Sequence, residues 1–366
     1  MTIPQRVFEE TILAFFAPVA KFLDDPTVTE VMINGPFEIF VERRGRIERT
    51  EARFDGPHAL AAAVRNLAQF AGCHVSEERP ILEAHLPDGS RVEAVMPPVS
   101  PDGPHVSIRR FSRQALSMEQ LVEWKSLSAE GANFISALVE AKQNIVVAGG
   151  TGSGKTSFLN VMSAYIDPGE RIIVIEDSRE LQLNQPHVVQ LETRPPDLQG
   201  RHAVSTRDLF RASLRMRPDR ILMGEIRGGE AIDFIQAMIS GHGGCLTTVH
   251  ATYPIDTLNR LETMALMSDI NLPLAALRVQ LAQAVHFIVQ TARLQDGSRV
   301  VTHITEVLGH DLREGFQLQD VFVRRWSGRD ARGRVLSELL YTEAVPRCLD
   351  MMTALGIDPG LPGRRG

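Results

Sequence analysis

Residues 149–160 read GGTGSGKTSFLN, and this stretch decides the fold of the chain. Four positions fill the phosphate-loop pattern G-x-x-x-x-G-K-[ST]: Gly149, Gly154, Lys155 and Thr156. The run at 144–148 is apolar and β-branched, as a buried strand is, and residues 157–164 have helical composition. A strand, a glycine-rich loop and a helix in this order make the pattern specific, so we predict a site for nucleotide phosphates here.

Each residue type in this loop has a chemical reason. Glycine lets the backbone approach a phosphate closely, and the helix that follows adds the positive end of its dipole. Lys155 would reach the β- and γ-phosphates, and the Thr156 hydroxyl would bind Mg²⁺. ATP and Mg²⁺ are therefore the expected ligands; the alternative is a glycine-rich turn with a surface lysine. The residues predicted to bind nucleotide are Gly150, Thr151, Gly152, Ser153, Gly154, Lys155, Thr156 and Ser157.

Composition and charge are those of a globular protein with two or three domains. The 366 residues are 43% hydrophobic and 23% charged, and no apolar run approaches the ~20 residues that span a bilayer. The net charge is −6, with −4 in residues 1–125 and −2 in the remainder, which argues against tight, sequence-independent binding of nucleic acid. Cys73, Cys245 and Cys348 are isolated, so we expect neither a zinc site nor a disulfide framework, and a reducing cytoplasm fits.

The pattern of apolar residues divides the chain into two domains. Residues 1–25 read as a leading helix, and short alternating strands follow, which predicts a small N-terminal α+β domain over 1–113. Residues 114–128 are the predicted linker. From 129 to 360, helices alternate with buried strands, which predicts an α/β domain with a largely parallel sheet. Its strands are predicted at 144–148, 171–175, 187–191, 220–223, 244–249, 300–307 and 317–322, with a last helix near 342–355.

Two of these strands end in carboxylates. The stretch RIIVIED ends at Glu176 and Asp177, and ligands of open α/β sheets bind at the carboxyl ends of strands. Glu176 would polarise the attacking water or hold a Mg²⁺-bound water; the alternative is that Asp177 caps a helix and Glu176 is solvated. In the stretch RILMGEIR, Gly224 stands where many phosphate-loop enzymes have the Asp that binds Mg²⁺. Glu225 is then the acid that remains, which favours activation of water or an indirect contact with Mg²⁺ over direct ligation of the metal.

A histidine stands at each end of the strand predicted at 244–249, His242 before it and His250 after it. Eight residues of extended chain separate them by about 26 Å, a poor geometry for one metal ion. We expect one of them to sense the γ-phosphate through a hydrogen bond. The alternative is that both are structural.

Arginine is dense in the middle of the second domain. One or two of these side chains would be fingers that reach the nucleotide of a neighbouring subunit and stabilise the charge of the transition state, which requires an oligomer. The alternative is that they lie on solvated faces of helices, the usual state of a charge run. The arginines concerned are Arg194, Arg207, Arg211, Arg215, Arg217 and Arg220.

Together these segments resemble the secretion ATPases of the type II/type IV superfamily. The matching segments are Walker A (GGTGSGKT), an Asp box (RIIVIEDSREL), Walker B (LRMRPDRILMGEIRG) and a His box (GHGGCLTTVHA). Three further stretches are most similar to the tight-adherence (Flp) pilus assembly ATPases, the CpaF/TadA group: EVMINGPFEIFVERRGRI, PPVSPDGPHVSIRRF, and RLETMALMSDINLP with GSRVVTHITEVLG. The resemblance covers about residues 25–350. The chain lacks the tetracysteine zinc module of many type II secretion ATPases, which disfavours that branch.

The resemblance implies a RecA-like P-loop domain behind the smaller α+β domain, and a homo-hexamer whose ATP hydrolysis powers pilus assembly or protein secretion. It implies an inner-membrane platform protein as partner, a peripheral position at the cytoplasmic face of that membrane, and no stable nucleic-acid partner. Arg109 and Arg110 would contact nucleotide from the N-terminal domain. The implied metal ligands are Thr156 and Glu176, and the implied catalytic residues are Glu176, Glu225, His250 and the candidate fingers Arg194, Arg207 and Arg215.

Three other functions fit parts of the sequence. A conjugation-type traffic ATPase shares all four boxes and serves a transport channel. A RecA-like nucleic-acid translocase shares the core domain, but the acidic charge balance and the lack of an obvious basic, aromatic platform argue against it. A nucleotide-switched binding module would bind ATP tightly and release almost no phosphate.

Overall fold

The structure is a computed structural model that describes residues 11–43, 45–111, 116–196, 200–270 and 272–362. Contacts within the chain separate two units, Met1–Gln114 and Ala115–Gly366. Residues 1–10 of the predicted leading helix, and residues 114–115 of the predicted linker, lie outside the described residues. Residues 11–15 of that leading segment are helical.

The first unit is a six-stranded antiparallel sheet with helices against it, in the strand order β3-β2-β1-β6-β5-β4. Apolar residues alternate along β1, so Val31 and Ile33 are buried in one core with Leu60. This confirms the predicted α+β organisation. The elements are α1 (Ala17–Asp24), β1 (Val28–Asn34), β2 (Ile39–Arg43), β3 (Arg46–Arg49), α2 (Pro57–Phe70), β4 (Ile81–His85), β5 (Arg91–Val95) and β6 (His105–Arg109).

The second unit alternates helices and strands before it ends in a run of strands. None of the helices in the described residues is long and apolar enough to cross a membrane. The helices are α3 (Met118–Glu123), α4 (Ala129–Glu140), α5 (Lys155–Ser163), α6 (Thr206–Ser213), α7 (Glu230–Ile239), α8 (Pro254–Leu266), α9 (Leu274–Ala284) and α10 (Leu349–Ala354). The strands are β7 (Ile145–Gly149), β8 (Ile172–Glu176), β9 (Val188–Glu192), β10 (Arg220–Met223), β11 (Leu246–Val249), β12 (Phe287–Arg293), β13 (Arg299–Asp311), β14 (Gly315–Arg329) and β15 (Val335–Tyr341).

The nine strands form one sheet in the order β15-β14-β13-β12-β7-β11-β10-β8-β9. Strands β12 to β9 in this order run parallel, and β13, β14 and β15 extend the sheet in antiparallel pairs. Helices α4 and α5 pack on one face, and α6 to α9 on the other. Strands β7, β8 and β10 are buried on both faces, which explains their continuous apolar runs. The predicted α/β fold with a largely parallel sheet is confirmed.

Strands β12 and β15 are absent from the predicted set. Only two residues separate β12 from α9, with no glycine or proline to mark the boundary, so its apolar run reads as a continuation of the helix. β15 is an edge strand that is exposed along much of its length, so its pattern is weak. The helix predicted near 342–355 is only the six residues of α10. Pro346 shortens it, because the residue before a proline is disfavoured in helical geometry.

Arg324, on β14, ties the start of the second unit to the sheet. Its guanidinium donates to the carbonyls of Val301 at 2.7 Å, Ser126 at 2.8 Å and Lys125 at 3.3 Å. Burial lowers the pKa of Arg324 to about 10. The amide of Val301 also donates to the carbonyl of Ser126, at 2.8 Å. The chain that enters this unit is therefore fixed to β13.

Candidate functional site

Four parallel strands of the second unit end at the same edge of the sheet, and each leads into a predicted site residue. β7 runs into the phosphate loop, β8 ends at Glu176, β10 is followed by Glu225, and β11 is followed by His250. Parallel neighbours present their carboxyl ends together. The fold thus brings together segments that are far apart in sequence, and it places Lys155, Glu225 and His250 in one cluster.

The phosphate loop has the backbone that its glycines permit. Gly152 and Gly154 have φ angles of 71° and 91°, in the left-handed region that favours glycine. Helix α5 begins at Lys155, so its first N–H groups face the loop. The Ser153 hydroxyl and the Lys155 ammonium both donate to the carbonyl of Gly150, at 2.8 and 3.1 Å. Loop and helix therefore have the arrangement that can hold an anion.

Close contacts join Lys155, His250 and Glu225. Nζ of Lys155 lies 3.3 Å from Nε2 of His250 and 3.4 Å from its Nδ1. Nε2 of His250 lies 3.2 Å from Oε1 of Glu225. Burial, followed by the charge of Lys155, lowers the pKa of His250, although Glu225 acts in the opposite direction. The imidazole is therefore neutral near pH 7, and it links the cation that would bind phosphate to the acid that would activate water.

Arg227 holds the second oxygen of Glu225. Its Nη2 donates to Oε2 of Glu225 at 2.8 Å, and its Nη1 donates to Oδ2 of Asp177 at 3.1 Å. The other oxygen of Asp177 accepts from the Thr206 hydroxyl at 3.0 Å, at the start of α6. Asp177 therefore links Arg227 to α6. It is not the helix cap considered from the sequence, since no helix begins in the described residues between Asp177 and the next strand, β9.

Glu176 is buried, with 4% of its surface exposed, so the alternative of a solvated carboxylate does not hold. Its Oε1 accepts from the amides of Glu180 and Leu181, each at 3.0 Å, and its Oε2 has no hydrogen-bond partner among the described residues. Burial raises the pKa of Glu176 to about 7. A Cβ atom placed on Gly224 would lie 3.0 Å from Cγ of Glu176. Glu176 thus fills the space that a side chain at Gly224 would need.

The two candidate histidines lie at opposite ends of β11. The carbonyl of His242 accepts from the Cys245 thiol at 3.1 Å, and its buried Nδ1 has no partner in the part of the chain that the structure describes. His250 is the one that contacts Lys155. The strand Leu246–Val249 lies between the two histidines, and neither belongs to a metal-binding group of three or more His, Cys, Asp or Glu side chains in the described residues.

The candidate fingers are held in different ways. Arg207 pairs with Asp233 at 2.6 Å and also with Asp269. Arg194 is exposed, and its Nε donates to the carbonyl of His202 at 2.6 Å. Arg215 is exposed and makes no ion pair with another described residue. Of these three arginines, Arg215 is therefore the one whose side chain could reach a neighbouring subunit without first breaking a hydrogen bond or ion pair with another described residue.

Three other arginines named from the sequence are Arg220, in the second unit, and Arg109 and Arg110, in the first. Arg220 is 1% exposed, so it is not available as a finger. Arg109 ends β6 and is exposed, whereas the guanidinium of Arg110 donates to the carbonyls of Asp25 and Val28, the latter at 2.9 Å. Within its unit, Arg110 therefore supports the start of β1.

Thr156 and Glu176 remain the predicted metal ligands. No group of three or more His, Cys, Asp or Glu side chains in the described residues could hold a metal ion by itself. Mg²⁺ that arrives with a nucleotide needs few protein ligands, because phosphate oxygens and water supply the others. The hydroxyl of Thr156, in the first turn of α5, and the unpartnered Oε2 of Glu176 are oxygen donors of the kind that Mg²⁺ binds. The remaining loop residues, Thr151 and Ser157, are exposed.

Four side chains that the sequence patterns do not assign also belong to the site. Arg227 could have been found, because it stands two residues after Glu225 in the Walker B stretch. Thr291 lies on β12, and its hydroxyl is 2.9 Å from that of Ser153. Arg293 ends β12 and Arg299 begins β13, and both lie against the phosphate loop. No local pattern marks these last three, since they reach the loop through the order of strands in the sheet.

Comparisons with known proteins agree with this geometry. The family model described as Type II/IV secretion system protein matches residues 13–351. The type IV secretion system protein PtlH of Bordetella pertussis is 37% identical over 303 residues, which cover 74% of this chain and 87% of PtlH. The type IV secretion system protein VirB11 of Bartonella quintana is 32% identical over 332 residues, which cover 80% and 92%. The ATPase DotB of Legionella pneumophila shares the fold, with a TM-score of 0.56 at 19% identity over 82% of this chain and 81% of DotB. The chain therefore belongs to the Type II/IV secretion system protein family.

Proposed function

We propose that this chain is a ring-forming motor ATPase that powers assembly of a tight-adherence type pilus or secretion of protein across the envelope. One observation carries the proposal: the phosphate loop and Glu225 meet at one edge of the sheet, and His250 contacts both Lys155 of the loop and Glu225. These are the groups that binding and hydrolysis of ATP require. Membership of the secretion family supports the same reading.

In the proposed reaction, the loop amides and Lys155 bind the β- and γ-phosphates of ATP. Water attacks the γ-phosphorus, its proton passes to Glu225, and the bond from that phosphorus to the bridging oxygen breaks to give ADP and phosphate. Arg227 and His250 hold one oxygen each of Glu225, so the carboxylate is already oriented. Thr156 and Glu176 would hold Mg²⁺ together with the nucleotide, and the ion would neutralise part of the phosphate charge.

The ring and its partners are part of the same proposal. In a homo-hexamer an arginine of one subunit would complete the site of the next; Arg215 is our first candidate, before Arg194 and Arg207. The cytoplasmic face of the inner membrane is the proposed location, with an inner-membrane platform protein as partner and no stable nucleic-acid partner.

The second candidate is a traffic ATPase of a conjugation-type channel. It is favoured by the relatives PtlH and VirB11, whose names assign them to type IV secretion systems. Co-purification of the full chain from native membranes separates the two: a polytopic platform protein supports the pilus motor, and a channel ATPase supports the traffic role. Stimulation of hydrolysis by single-stranded DNA, with a steep salt dependence, would instead support a translocase.

The assignment of the site is tested by two variants and a matched control. Lys155→Ala should lose nucleotide binding, whereas Glu225→Gln should keep ATP affinity and lose about 10²-fold or more in kcat. Glu192→Gln is the control, because Glu192 is an exposed carboxylate that ends β9 at the same edge of the sheet; it should behave as wild type. Full hydrolysis by Lys155→Ala would exclude this site, and weaker affinity with normal kcat in Glu225→Gln would assign Glu225 to binding.

A further inference from the structure

The hairpin formed by β12 and β13 places two arginines against the outside of the phosphate loop. Arg293 and Arg299 are direct cross-strand partners at the end of this hairpin. Nε of Arg299 donates to the carbonyl of Gly152 at 2.9 Å. A Cβ atom placed on Gly152 would lie 3.2 Å from Nη1 of Arg293, and one placed on Gly154 would lie 3.3 Å from Cδ of Arg299. Two cations therefore approach the loop at the same glycine.

The contact of Arg299 acts on the donors of the loop. The carbonyl of Gly152 and the N–H of Ser153 belong to one peptide unit. A charged donor on that carbonyl polarises the unit, which makes the N–H on its other side a stronger donor. A phosphate loop binds its anion through such N–H groups. Arg299 thus both fixes the position of Gly152 and favours anion binding beyond it.

The hairpin is itself held in place, so the two guanidinium groups are positioned rather than loose. At its base, the Thr291 hydroxyl lies 2.9 Å from the Ser153 hydroxyl and donates to the carbonyl of Ala148 at 3.0 Å. At its turn, Oδ2 of Asp296 accepts from the amide of Val335 at 2.7 Å. The hairpin is therefore anchored at one end to the phosphate loop and at the other to β15.

We propose that Arg293 and Arg299 form a cationic bracket that sets the affinity of the phosphate loop for the phosphate chain of a nucleoside di- or triphosphate in the same subunit. Arg299 is a positioning residue that acts through Gly152, and Arg293 adds positive charge beside the bound phosphates. The inference rests on the proposed function, because it takes the loop to be a nucleotide site. It adds two residues from outside the four sequence boxes to that site.

Binding of a fluorescent ADP analogue to the full chain, with ATP as competitor, tests the bracket. Arg299→Ala should weaken the affinity for both nucleotides about 10-fold or more, because a charge-assisted hydrogen bond is lost, and Arg299→Lys should restore part of it. Arg293→Ala should weaken affinity about 3-fold or more at low salt and much less at high salt, because its effect is electrostatic and is screened. The loss from Arg299→Ala should persist at high salt.

The matched control is Arg313→Ala. Arg313 is an exposed arginine in the turn at the other end of β13, away from the phosphate loop, and its variant should bind as wild type. Thermal unfolding of each variant shows that it is folded; if Arg299→Ala is not, Arg299→Lys and Arg293→Ala carry the test. Wild-type affinity in folded variants at both positions would overturn the bracket while leaving the proposed function intact. If wild type and Lys155→Ala both fail to bind nucleotide, the proposed function itself fails.

Discussion

Glu176 and Gly224 lie side by side at the ends of neighbouring strands, and the Glu176 side chain occupies the space beside Gly224. Their strands run side by side in register, with Ile175 beside Met223. A Cβ atom at Gly224 would crowd the side chain of Glu176, and the buried acid at this point comes from β8. The sequence predicts both Glu176 and Glu225 at strand ends. It does not predict that Glu176 is buried, because burial depends on a neighbouring strand more than 40 residues away in the chain.

Glu176 should make the free energy of unfolding depend on pH. Its pKa is about 7 when folded, against the ordinary value of 4.5. The stability that the protonated carboxyl contributes is therefore complete below the unfolded pKa and is lost as the pH rises through the folded one. As the pH rises from 4 to 8, the free energy of unfolding of wild type should fall by about 3 kcal/mol relative to that of Glu176→Gln.

Urea unfolding across this pH range, without nucleotide or metal, measures the effect of Glu176→Gln. Glu192→Gln is the control, since Glu192 is exposed and pairs with Glu176 in register on the next strand. It should follow wild type at every pH. Parallel curves for Glu176→Gln and wild type would show that Glu176 ionises in the folded protein as easily as in the unfolded chain.

Arg227 should affect catalysis and not affinity, because its contact is with the carboxylate of Glu225 and not with the phosphate loop. Arg227→Ala should lower kcat by up to about 100-fold, the effect of a misplaced catalytic group, with little change in ATP affinity. Arg227→Lys should restore only part, because an ammonium cannot pair with Glu225 and Asp177 as a planar guanidinium does. Steady-state kinetics and nucleotide titration measure the two effects. Arg313→Ala, at an exposed arginine between β13 and β14, is the control, and a normal kcat in Arg227→Ala would contradict the role.

At the scale of elements, local signals predict well and long-range pairing does not. Strands β7, β8 and β10 are apolar runs closed by a glycine or an acid, and they lie within a residue of their predicted bounds. β12 pairs in parallel with β7 across about 140 residues, Phe287 beside Ile145. No local pattern records such a pairing. The contacts that Thr291, Arg293 and Arg299 make with the loop depend on it, so they could not be predicted either.

Arg220 is a buried arginine that begins β10, and we expect its loss to destabilise the second unit. Its guanidinium donates to the carbonyl of Val139 at 2.7 Å and to that of Gly244 at 3.3 Å, and it pairs with Glu170. Arg220→Ala should lower the free energy of unfolding by about 3–5 kcal/mol, because it leaves a partly buried carboxylate without its main partner.

Lys142→Ala is the control for Arg220→Ala, because Lys142 binds the same Glu170 at 2.6 Å from a side chain that is 51% exposed. It should cost less than about 1 kcal/mol, as exposed ion pairs do. Denaturant titration measures both variants. Equal losses in the two would show that burial of Arg220 contributes nothing beyond a surface ion pair.

At the scale of the whole molecule, the proposed ring makes each active site shared between neighbours. A site with Glu225 from one subunit and an arginine from the next can be rebuilt from two defective chains. Glu225→Gln and Arg215→Ala should each be nearly inactive alone. In mixed rings, some interfaces join a subunit with an intact Glu225 to a neighbour with an intact Arg215. Those interfaces should regain hydrolysis.

Phosphate release by mixtures of the two variants, with mass measured by light scattering in the same samples, tests this sharing. Activity should rise to a maximum near equal proportions and only where hexamers form. A Lys155→Ala and Glu225→Gln mixture is the control, because both defects lie in the same set of residues around one phosphate loop, and it should stay inactive. A mixture of Glu225→Gln and Arg215→Ala that regains nothing would exclude Arg215 as the shared group.

The clamp made by Arg324 has a mechanical consequence. The chain that arrives from the first unit is bonded at Ser126 to Val301, and Arg324 grips both. Two residues before Val301 stands Arg299, whose Nε holds Gly152. In the proposed motor, a pull on the start of the second unit would therefore reach β13, the strand from which Arg299 holds the phosphate loop. Arg299 and Val301 are two residues apart, which is about 7 Å along a strand. The attachment of the incoming chain and the support of the phosphate loop are therefore that close together on β13.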